Sequence, residues 1–485
     1  MVTGKTEQTT GDIVIVGAGG SGLSAAVAAA KGGARVRVIE KRRTAGGTMN
    51  MLAGLVAAGS PTQKRAGIMI STDDLFLKHM QYSQWTLNPR VVRTWLERSG
   101  ETIRWLEEKG IRFDLVSMFT DEQPTSWHYG VRAGSDIVKT LLQDCRDLDV
   151  QFSFETQASR ILLDNSDQVA GLAARTGDQD IKLIAKAVII ATGGYGGNRE
   201  MMKKYCPYYN NPLPTTGIEI AHTGDGVQMA FEAGADSEGL GNLLMCGPCF
   251  VGGFGAFHLA IEPTTVWVNK DGRRFIEEGL DCSPFEAPNA MLRQPDQVCF
   301  SLFDEAIKLQ VLEHGYIRPT ADTVSPVDRI EGALEENFKK GNLMISSSWD
   351  EIAGWTGAEP AVLKSTVEQY NRFCDSGHDD EFAKKSEFLK ALRAPPYYAA
   401  KCYPWHLGSI GGIKINERME VLNKNRQPIR GLYAVGSDTG GWSASTYNRY
   451  LAGAGASFAI NSGLIGGENA ARFLQKQQPA SRGLT

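Results

Sequence analysis

Ile13-Val14-Ile15-Val16-Gly17-Ala18-Gly19-Gly20-Ser21-Gly22, then LSAAVAAAK (23–31) and Arg35-Val36-Arg37-Val38-Ile39-Glu40, is the stretch that decides the fold. Four apolar residues between Asp12 and a glycine cluster predict a buried parallel strand. The alanine-rich run ending at Gly32-Gly33 predicts a helix, and RVRVI a second strand. Strand, Gly-x-Gly-x-x-Gly, helix and strand within about thirty residues make a βαβ unit. In such a unit Gly17 makes the tight turn, Gly19 lets backbone reach a pyrophosphate, and Gly22 lets helix pack on strand. The helix N-terminus at Gly20 and Ser21 then meets the phosphates. Glu40, eighteen positions after Gly22 at a strand end, is placed to accept from ribose hydroxyls; an acid there disfavours a ribose 2′-phosphate.

Working outward, Lys41 to Gly54 reads KRRTAGGTMNMLAG. A glycine pair with small polar residues, just past the ribose acid, can bring amides and hydroxyls to a second ring system. A nicotinamide enzyme has no need of that segment; a flavin enzyme does. Residues 100–118 and 136–148 read as helix-rich. From 151 to 192 the pattern turns to strands, with a hairpin turn at Gly177-Asp178, ending in Thr192-Gly193-Gly194. Residues 241–394 change character and read as an inserted unit. From Pro395 onward glycine and short apolar strands return, closing with a helix from about Ala454. The expected organisation is α/β: a Rossmann-like cofactor domain in two segments, 1–240 and 395–485, with an α+β capping domain at 241–394.

Composition narrows the class. Of 485 residues, 42% are hydrophobic and 22% charged, with 51 Lys plus Arg against 55 Asp plus Glu. A net charge of −4 gives no electrostatic reason to expect nucleic acid or an anionic membrane surface. The 54 glycines suggest backbone that must approach something closely. Eight cysteines are scattered without a secretory leader, which predicts free thiols. No run reaches about 18 uninterrupted apolar residues, so no membrane span is expected. The polar start, MVTGKTEQTTG, lacks a signal-peptide core. A cytoplasmic location is expected. There is no C-x-x-C-H, so no attached c-type haem, and no metal site is expected.

EKRRTAGGTMNMLAG resembles the flavin-contacting segment of the fumarate reductase and 3-ketosteroid dehydrogenase flavoprotein superfamily. Further landmarks follow in order: AVIIATGGYGGN (187–198), HTGDGVQMAFEAGA (222–235), VNKDGRRFIEE (268–278), TVEQYNRFC (366–374), PPYYAAK (395–401), GSIGGIKIN (408–416) and GLYAVGSDTGGW (431–442). The resemblance spans nearly the whole chain. It implies FAD, a flavin domain split in sequence and a cap closing over the flavin. Covalent linkage in the superfamily uses a histidine near the glycine pair; the first histidine here is His79, so FAD is expected to be non-covalent. The implied cofactor set is Gly17, Gly19, Gly20, Ser21, Gly22, Glu40, Lys41, Gly46, Gly47, Thr48, Asn50, Met51, Ala53, Gly54, Ala158, Thr192, Gly193, Asp225, Ser437, Asp438, Gly455 and Ser457. Amides at the start of the last helix can also stabilise negative charge on a reduced flavin's pyrimidine edge.

On the substrate side, GGWSASTYNRY (440–450) resembles the stretch that closes with the fumarate reductases' proton-donating arginine. Arg449 takes that place with two extra residues before it, flanked by Tyr447 and Tyr450. An arginine donor needs a neighbour that lowers its very high pKa, so Arg449 as a simple binder of carboxylate or carbonyl stays open. Three departures count against a small dicarboxylate. The paired histidines before the later glycine pair are replaced, leaving His406 displaced. The arginine after the RFxxE segment is absent, with Cys282 near its place. The threonine–glutamate pair has no clean equivalent, with His258 and Glu262 nearby. Trp405 and Trp442 with the two tyrosines suggest a bulkier, partly apolar substrate. RYLAGAGAS (449–457) is similar to the Tyr–x–Gly stretch by which 3-ketosteroid dehydrogenases handle an enone, with one residue more. The expected activity is FAD-dependent reduction of an activated C=C in an enoate or enone, fed by an external electron donor or acceptor. Dehydrogenation of a 3-ketosteroid, or service as an electron-transfer subunit of a larger complex, are the alternatives. Cys246-Gly-Pro-Cys249 is expected to be an ordinary loop dithiol.

Overall fold

The computed structural model describes residues 7–117, 125–209, 221–252, 256–280, 284–318 and 321–477. Its central sheet has six strands in the order Glu420–Leu422, Pro428–Ala434, Ala187–Ile190, Ile13–Val16 (β1), Val36–Ile39 and Gln151–Ser153. β1 is parallel to both neighbours, in register from Ile13↔Val36 to Val16↔Ile39 and from Ile13↔Ala187 to Val16↔Ile190. All four of its residues are buried, as an uninterrupted apolar strand between two others must be.

The chain leaves β1 through Gly17 at φ +107 and enters helix Gly20–Lys31 (α1). Two of the three fingerprint glycines are dictated by packing. A Cβ on Gly17 would lie 2.3 Å from the Ala191 carbonyl oxygen, and one on Gly22 1.9 Å from the Gly17 carbonyl oxygen. The last helix, Ala454–Gln477 (α2), runs beside α1. Gly463 and Gly467, one turn apart, face the Ser21 and Ala25 carbonyls at distances where a Cβ would come within 2.3 Å of each. The small-residue run 453–467 is therefore a helix–helix seam.

A second sheet wings the first: Thr156–Leu163, Val169–Thr176 and Gln179–Ile184 run antiparallel, with Glu7–Thr10 parallel to the last. Thr176 pairs with Gln179, so Gly177 and Asp178 form the two-residue hairpin expected there. A third sheet joins Leu243–Phe250 (β2), Tyr397–Ser409 (β3), Cys299–Asp304 and Val266–Asn269, with Leu343–Ser346 also on β3. This sheet and its helices bury a separate apolar core around Phe250, Val268, Phe303, Ile330 and Tyr370. β3 begins beyond residue 394, where the sequence reading has the chain already back in the first body. Its partners are non-local, and no local signal in YYAAKCYPWHLGS says which sheet it joins. No helix among the described residues is long and apolar enough to cross a membrane.

Candidate active site

A single cavity runs from the β1–α1 turn, past Glu40 to Gly54, to the walls of the third sheet. Of the expected cofactor set, Gly17, Gly19, Gly20, Ser21, Glu40, Lys41, Gly47, Thr48, Met51, Ala53, Gly54, Ala158, Thr192, Gly193, Asp225, Ser437 and Gly455 line it. Five others lie behind the wall and hold it in shape. Gly22 seats α1 on Gly17. Gly46 donates its N–H to Ala18 O (2.8 Å), and Asn50 donates to Ala45 O (3.3 Å). Ser457 donates to Val56 O (2.8 Å). Asp438, fully buried, accepts from the Thr192 hydroxyl (2.7 Å) and the N–H groups of Thr192, Gly193 (3.0 Å) and Gly194 (2.9 Å). Burial pushes its carboxyl up against those donors. It fixes the turn that carries Thr192 and Gly193.

At the fingerprint end, Glu40 accepts from the N–H groups of Ala18 (2.9 Å) and Arg42 (2.9 Å), which hold its carboxylate on the cavity wall. Lys41 donates to Asp225 (3.1 Å) and to the Thr223 hydroxyl. Asp225 opens helix Asp225–Glu232 after Gly224 in the left-handed region.

His222 was not singled out from the sequence, although it begins the HTGDG landmark. Its Nε2 meets Thr48 Oγ1 at 3.1 Å, beside the expected flavin segment. Gly193 makes room for it: a Cβ there would lie 2.7 Å from Nε2. Burial, followed by the charge of Lys41, pushes the imidazole down to about 4, so it is neutral.

At the other end the wall is made by Leu244, His258, Phe285, Arg318, Leu407 and Tyr447, with Trp127 and Tyr129 nearby. The catalytic candidates separate here. Tyr447 faces the cavity. Its oxygen accepts from the Gly455 N–H (2.9 Å), so its own hydrogen points elsewhere, and burial pushes its phenol up to about 12. His258 also lines the cavity, with Nδ1 3.2 Å from Ser325 Oγ; burial, then Arg318, holds it well below its ordinary value. Arg449, Tyr450 and His406 do not line it. The Arg449 guanidinium donates to the Leu280 carbonyl (3.1 Å) and stacks on the Tyr450 ring. Tyr450 packs edge-on against Tyr82. His406 lies on β3 against Tyr209. Cys282 lies outside the described residues.

The residues fit an FAD. At Gly19 a Cβ would meet nothing within 4 Å, so this glycine opens onto the space a pyrophosphate would take. No side chain caps α1, so its first N–H groups await an anion. His222 Nδ1 and the Tyr129 hydroxyl, both on the wall, are buried with no hydrogen-bond partner among the described residues. Buried polar groups are rarely left so, and a bound ligand would satisfy them. Glu40→Ala is expected to weaken FAD about tenfold to a hundredfold, because a hydrogen bond to a charged acceptor contributes roughly 1.5–3 kcal/mol. Titration of apoprotein with FAD reads this directly, and unchanged affinity would contradict the assignment.

Cys246 and Cys249 lie with Sγ atoms 3.5 Å apart. Both are buried and neither lines the cavity. Burial and Cys246 push the Cys249 thiol up, the reverse of what a redox-active thiolate requires. The Cys246→Ser, Cys249→Ser double variant should turn over within about tenfold of wild type, a barrier change below ~1.4 kcal/mol; a larger loss with FAD still bound would make the pair a relay. Among the described residues no group of three or more His, Cys, Asp or Glu could hold a metal.

The chain matches the family described as FAD binding domain over residues 12–457. It is 30% identical over 490 aligned positions to the vinyl phenol reductase of Lactiplantibacillus plantarum, covering 97% of this chain and 98% of that one. Among solved structures, the open conformation of a flavocytochrome c3 fumarate reductase superposes with TM-score 0.78 at 27% identity, covering 97% of this chain and 79% of that chain. A 3-ketosteroid-Δ4-(5α)-dehydrogenase from Rhodococcus jostii RHA1, in complex with 4-androstene-3,17-dione, superposes with TM-score 0.76 at 22% identity, covering 97% and 99%; at that identity the likeness is one of fold. The chain belongs to the FAD binding domain family.

Proposed function

We propose that this member of the FAD binding domain family reduces a carbon–carbon double bond conjugated to a carbonyl or carboxylate. The observation that carries the reading is Tyr447: a phenol on the cavity wall, its oxygen occupied by the Gly455 N–H and its hydrogen directed away. Hydride addition to an activated double bond is the chemistry bound FAD supplies. The chain's own residues must then hold the substrate, exclude water and deliver a proton. Phe285, Leu244 and Leu407 form the apolar wall for the substrate body. Tyr447 is the proton donor to the carbon next to the carbonyl. Its raised pKa keeps it protonated through neutral pH, the state a donor needs. His258, held neutral, hydrogen-bonds the activating group. Arg449 and Tyr450 brace the loop that carries Tyr447, and His406 supports β3.

We divide the chain into a Rossmann-like FAD domain of the glutathione-reductase type (1–240 and 395–485) and an α+β cap (241–394). The separate apolar core around Phe250 and Tyr370 supports a cap, and the pairing of β3 with the cap's strands moves the end of the cap from 394 to 409. FAD is non-covalent and is reduced by an external donor. Acid precipitation should therefore release all the flavin into the supernatant as FAD. A second reading, dehydrogenation of a 3-ketosteroid, is favoured by the same Tyr447–Gly455 pair, since a phenol and a backbone amide can together hold a ketone oxygen. The test is to supply a reduced enzyme with enoates and enones and an oxidised enzyme with saturated 3-ketosteroids. Turnover only in the second case would select the second reading.

A further inference from the structure

His79 is a buried titratable group that the reading above does not use. It sits on helix Thr72–Tyr82, whose inward face is Leu75, Phe76, His79 and Met80, and it is 1% exposed. Its ring meets Trp95 edge-on, 6.5 Å between centroids. It does not line the cavity, so it touches neither substrate nor flavin. A leucine would fill the same space without the cost of burying a polar ring. What the imidazole adds is two hydrogen bonds, and both go to one loop, 442–450, far away in sequence. Nε2 lies 2.8 Å from the Trp442 carbonyl oxygen. A carbonyl only accepts, so the hydrogen is on Nε2. Burial pushes the imidazole down to about 4, so it is neutral and Nδ1 is left as an acceptor. Asn448 Nδ2 donates to it at 3.2 Å. The Asn448 oxygen is then turned to the Tyr450 N–H, from which it accepts at 2.9 Å.

The loop bridged in this way carries Tyr447. Among the described residues, none of the N–H groups of 443–448 donates to a backbone carbonyl, so neither a ladder nor a helix sets its path. Its shape rests on side-chain ties. Trp442 anchors one end: Nε1 donates to the Thr439 carbonyl (3.0 Å), and the ring stacks on Phe458 of α2, 4.6 Å between centroids. Asn448, 1% exposed, is the other end and is next in the chain to Tyr447. His79 joins the two ends. Tyr447 is thereby kept where its oxygen meets the Gly455 N–H on the cavity wall.

We propose that His79 is a positioning residue: through Trp442 and Asn448 it holds the 442–450 loop so that the Tyr447 phenol faces the cavity. The assignment rests on the donor role of Tyr447 above and adds what keeps that donor in place. A donor works only within hydrogen-bond reach of its target, and a misplacement of about 1 Å costs on the order of 10²-fold in rate.

The test uses FAD-loaded, photoreduced enzyme mixed in stopped flow with cinnamate and, separately, with 4-phenylbut-3-en-2-one. Hydrogen exchange over residues 442–451 is followed in parallel by mass spectrometry. His79→Leu should slow reoxidation at saturating substrate by about 10- to 100-fold and leave half-saturation within about twofold. It should also speed exchange over 442–451 by about fivefold or more. His79→Gln keeps one donor and one acceptor and should stay within about threefold of wild type in rate and exchange. The His79→Leu, Tyr447→Phe double variant should be no more than about twofold slower than Tyr447→Phe, because His79 acts on the rate only through the phenol. Where Tyr447→Phe is slow, a wild-type rate in His79→Leu would overturn the proposal. A further slowing of about tenfold in the double variant would do the same, as would unchanged exchange. If His79→Leu does not retain FAD, Asn448→Ser is judged by the same criteria; it keeps an oxygen for the Tyr450 N–H and gives up the bond to His79. If Tyr447→Phe is as fast as wild type, the donor reading falls. If neither compound reoxidises wild type, the reductase reading falls. In both cases hydrogen exchange decides alone: faster exchange in His79→Leu upholds the hold on the loop, and unchanged exchange overturns it.

Discussion

Tyr447→Phe is expected to slow substrate-dependent flavin reoxidation by about 10²–10⁴-fold, the range for removal of a general acid, while FAD content and photoreduction stay at wild-type levels. The substitution removes one oxygen from a buried ring that packs edge-on against Phe285, so the wall keeps its shape. The Gly455 N–H at the start of α2 loses its acceptor. Hydride-transfer competence is tested separately by reduction with a chemical donor, which needs no proton from the wall. A donor's loss lowers kcat; a binder's loss raises KM. Arg449→Ala should affect both modestly and chiefly through stability, because its guanidinium braces Leu280 and Tyr450 rather than the cavity. Wild-type reoxidation in Tyr447→Phe would pass the donor role to His258, the other catalytic candidate on the wall.

Arg274→Ala is expected to cost about 3–5 kcal/mol of folding stability, the usual consequence of breaking a buried ionic network by removing one partner. Arg274 donates to Glu278 through Nε and Nη2 (2.8 Å each) and to Asp379 through Nη1 and Nη2 (3.1 and 2.8 Å). Lys384 adds a bond to Glu278 (3.3 Å) and donates to the Thr265 carbonyl (2.7 Å). The side chains of Arg274, Glu278, Asp379 and Lys384 are at most 1% exposed. Removing the arginine takes the charged partner from buried Asp379 and leaves Glu278 with Lys384 alone. A urea midpoint that falls steeply without a change of slope would show it; an unchanged midpoint would contradict it. Burial works against the charge on Asp379, but Arg274 holds its carboxyl down to about 2. Burial likewise opposes Glu278, and Lys384 with Arg274 holds it below its ordinary value. A carboxylate depressed in the folded state stabilises above its unfolded pKa, and that contribution is lost as pH falls through the folded one. Stability should therefore drop between about pH 4 and pH 2, and drop less in the Asp379→Asn variant.

Local pattern carried much of the cofactor end. Apolar strand, glycine spacing and a terminal acid are constraints between residues close in sequence, and β1, α1 and Glu40 stand where that pattern puts them. The hairpin at Gly177-Asp178 is local in the same sense. The sequence shows the last helix from about Ala454, but only the structure shows that Gly463 and Gly467 answer the Ser21 and Ala25 carbonyls. The substrate end was illegible for a physical reason. Its wall is assembled from Leu244, His258, Phe285, Arg318, Leu407 and Tyr447, which share no motif and meet only through tertiary packing. Arg318 lies outside every landmark of the sequence. Arg449 stands after a glycine landmark, and local pattern does not show that its guanidinium donates to the Leu280 carbonyl. Asp438 stands in a cofactor landmark, and the structure adds what local pattern does not show: it accepts from the Thr192, Gly193 and Gly194 N–H groups.

The central claim, that the chain uses FAD to reduce an activated double bond, is tested most directly by one anaerobic measurement. Enzyme with bound FAD is photoreduced and mixed with cinnamate, an α,β-unsaturated ketone and a vinyl phenol, and absorbance near the flavin maximum is followed with product analysis. Reoxidation by cinnamate or the unsaturated ketone is expected, with one saturated product formed per flavin. Flavin that stays reduced with every conjugated C=C, yet reoxidises when oxygen is admitted, would contradict it.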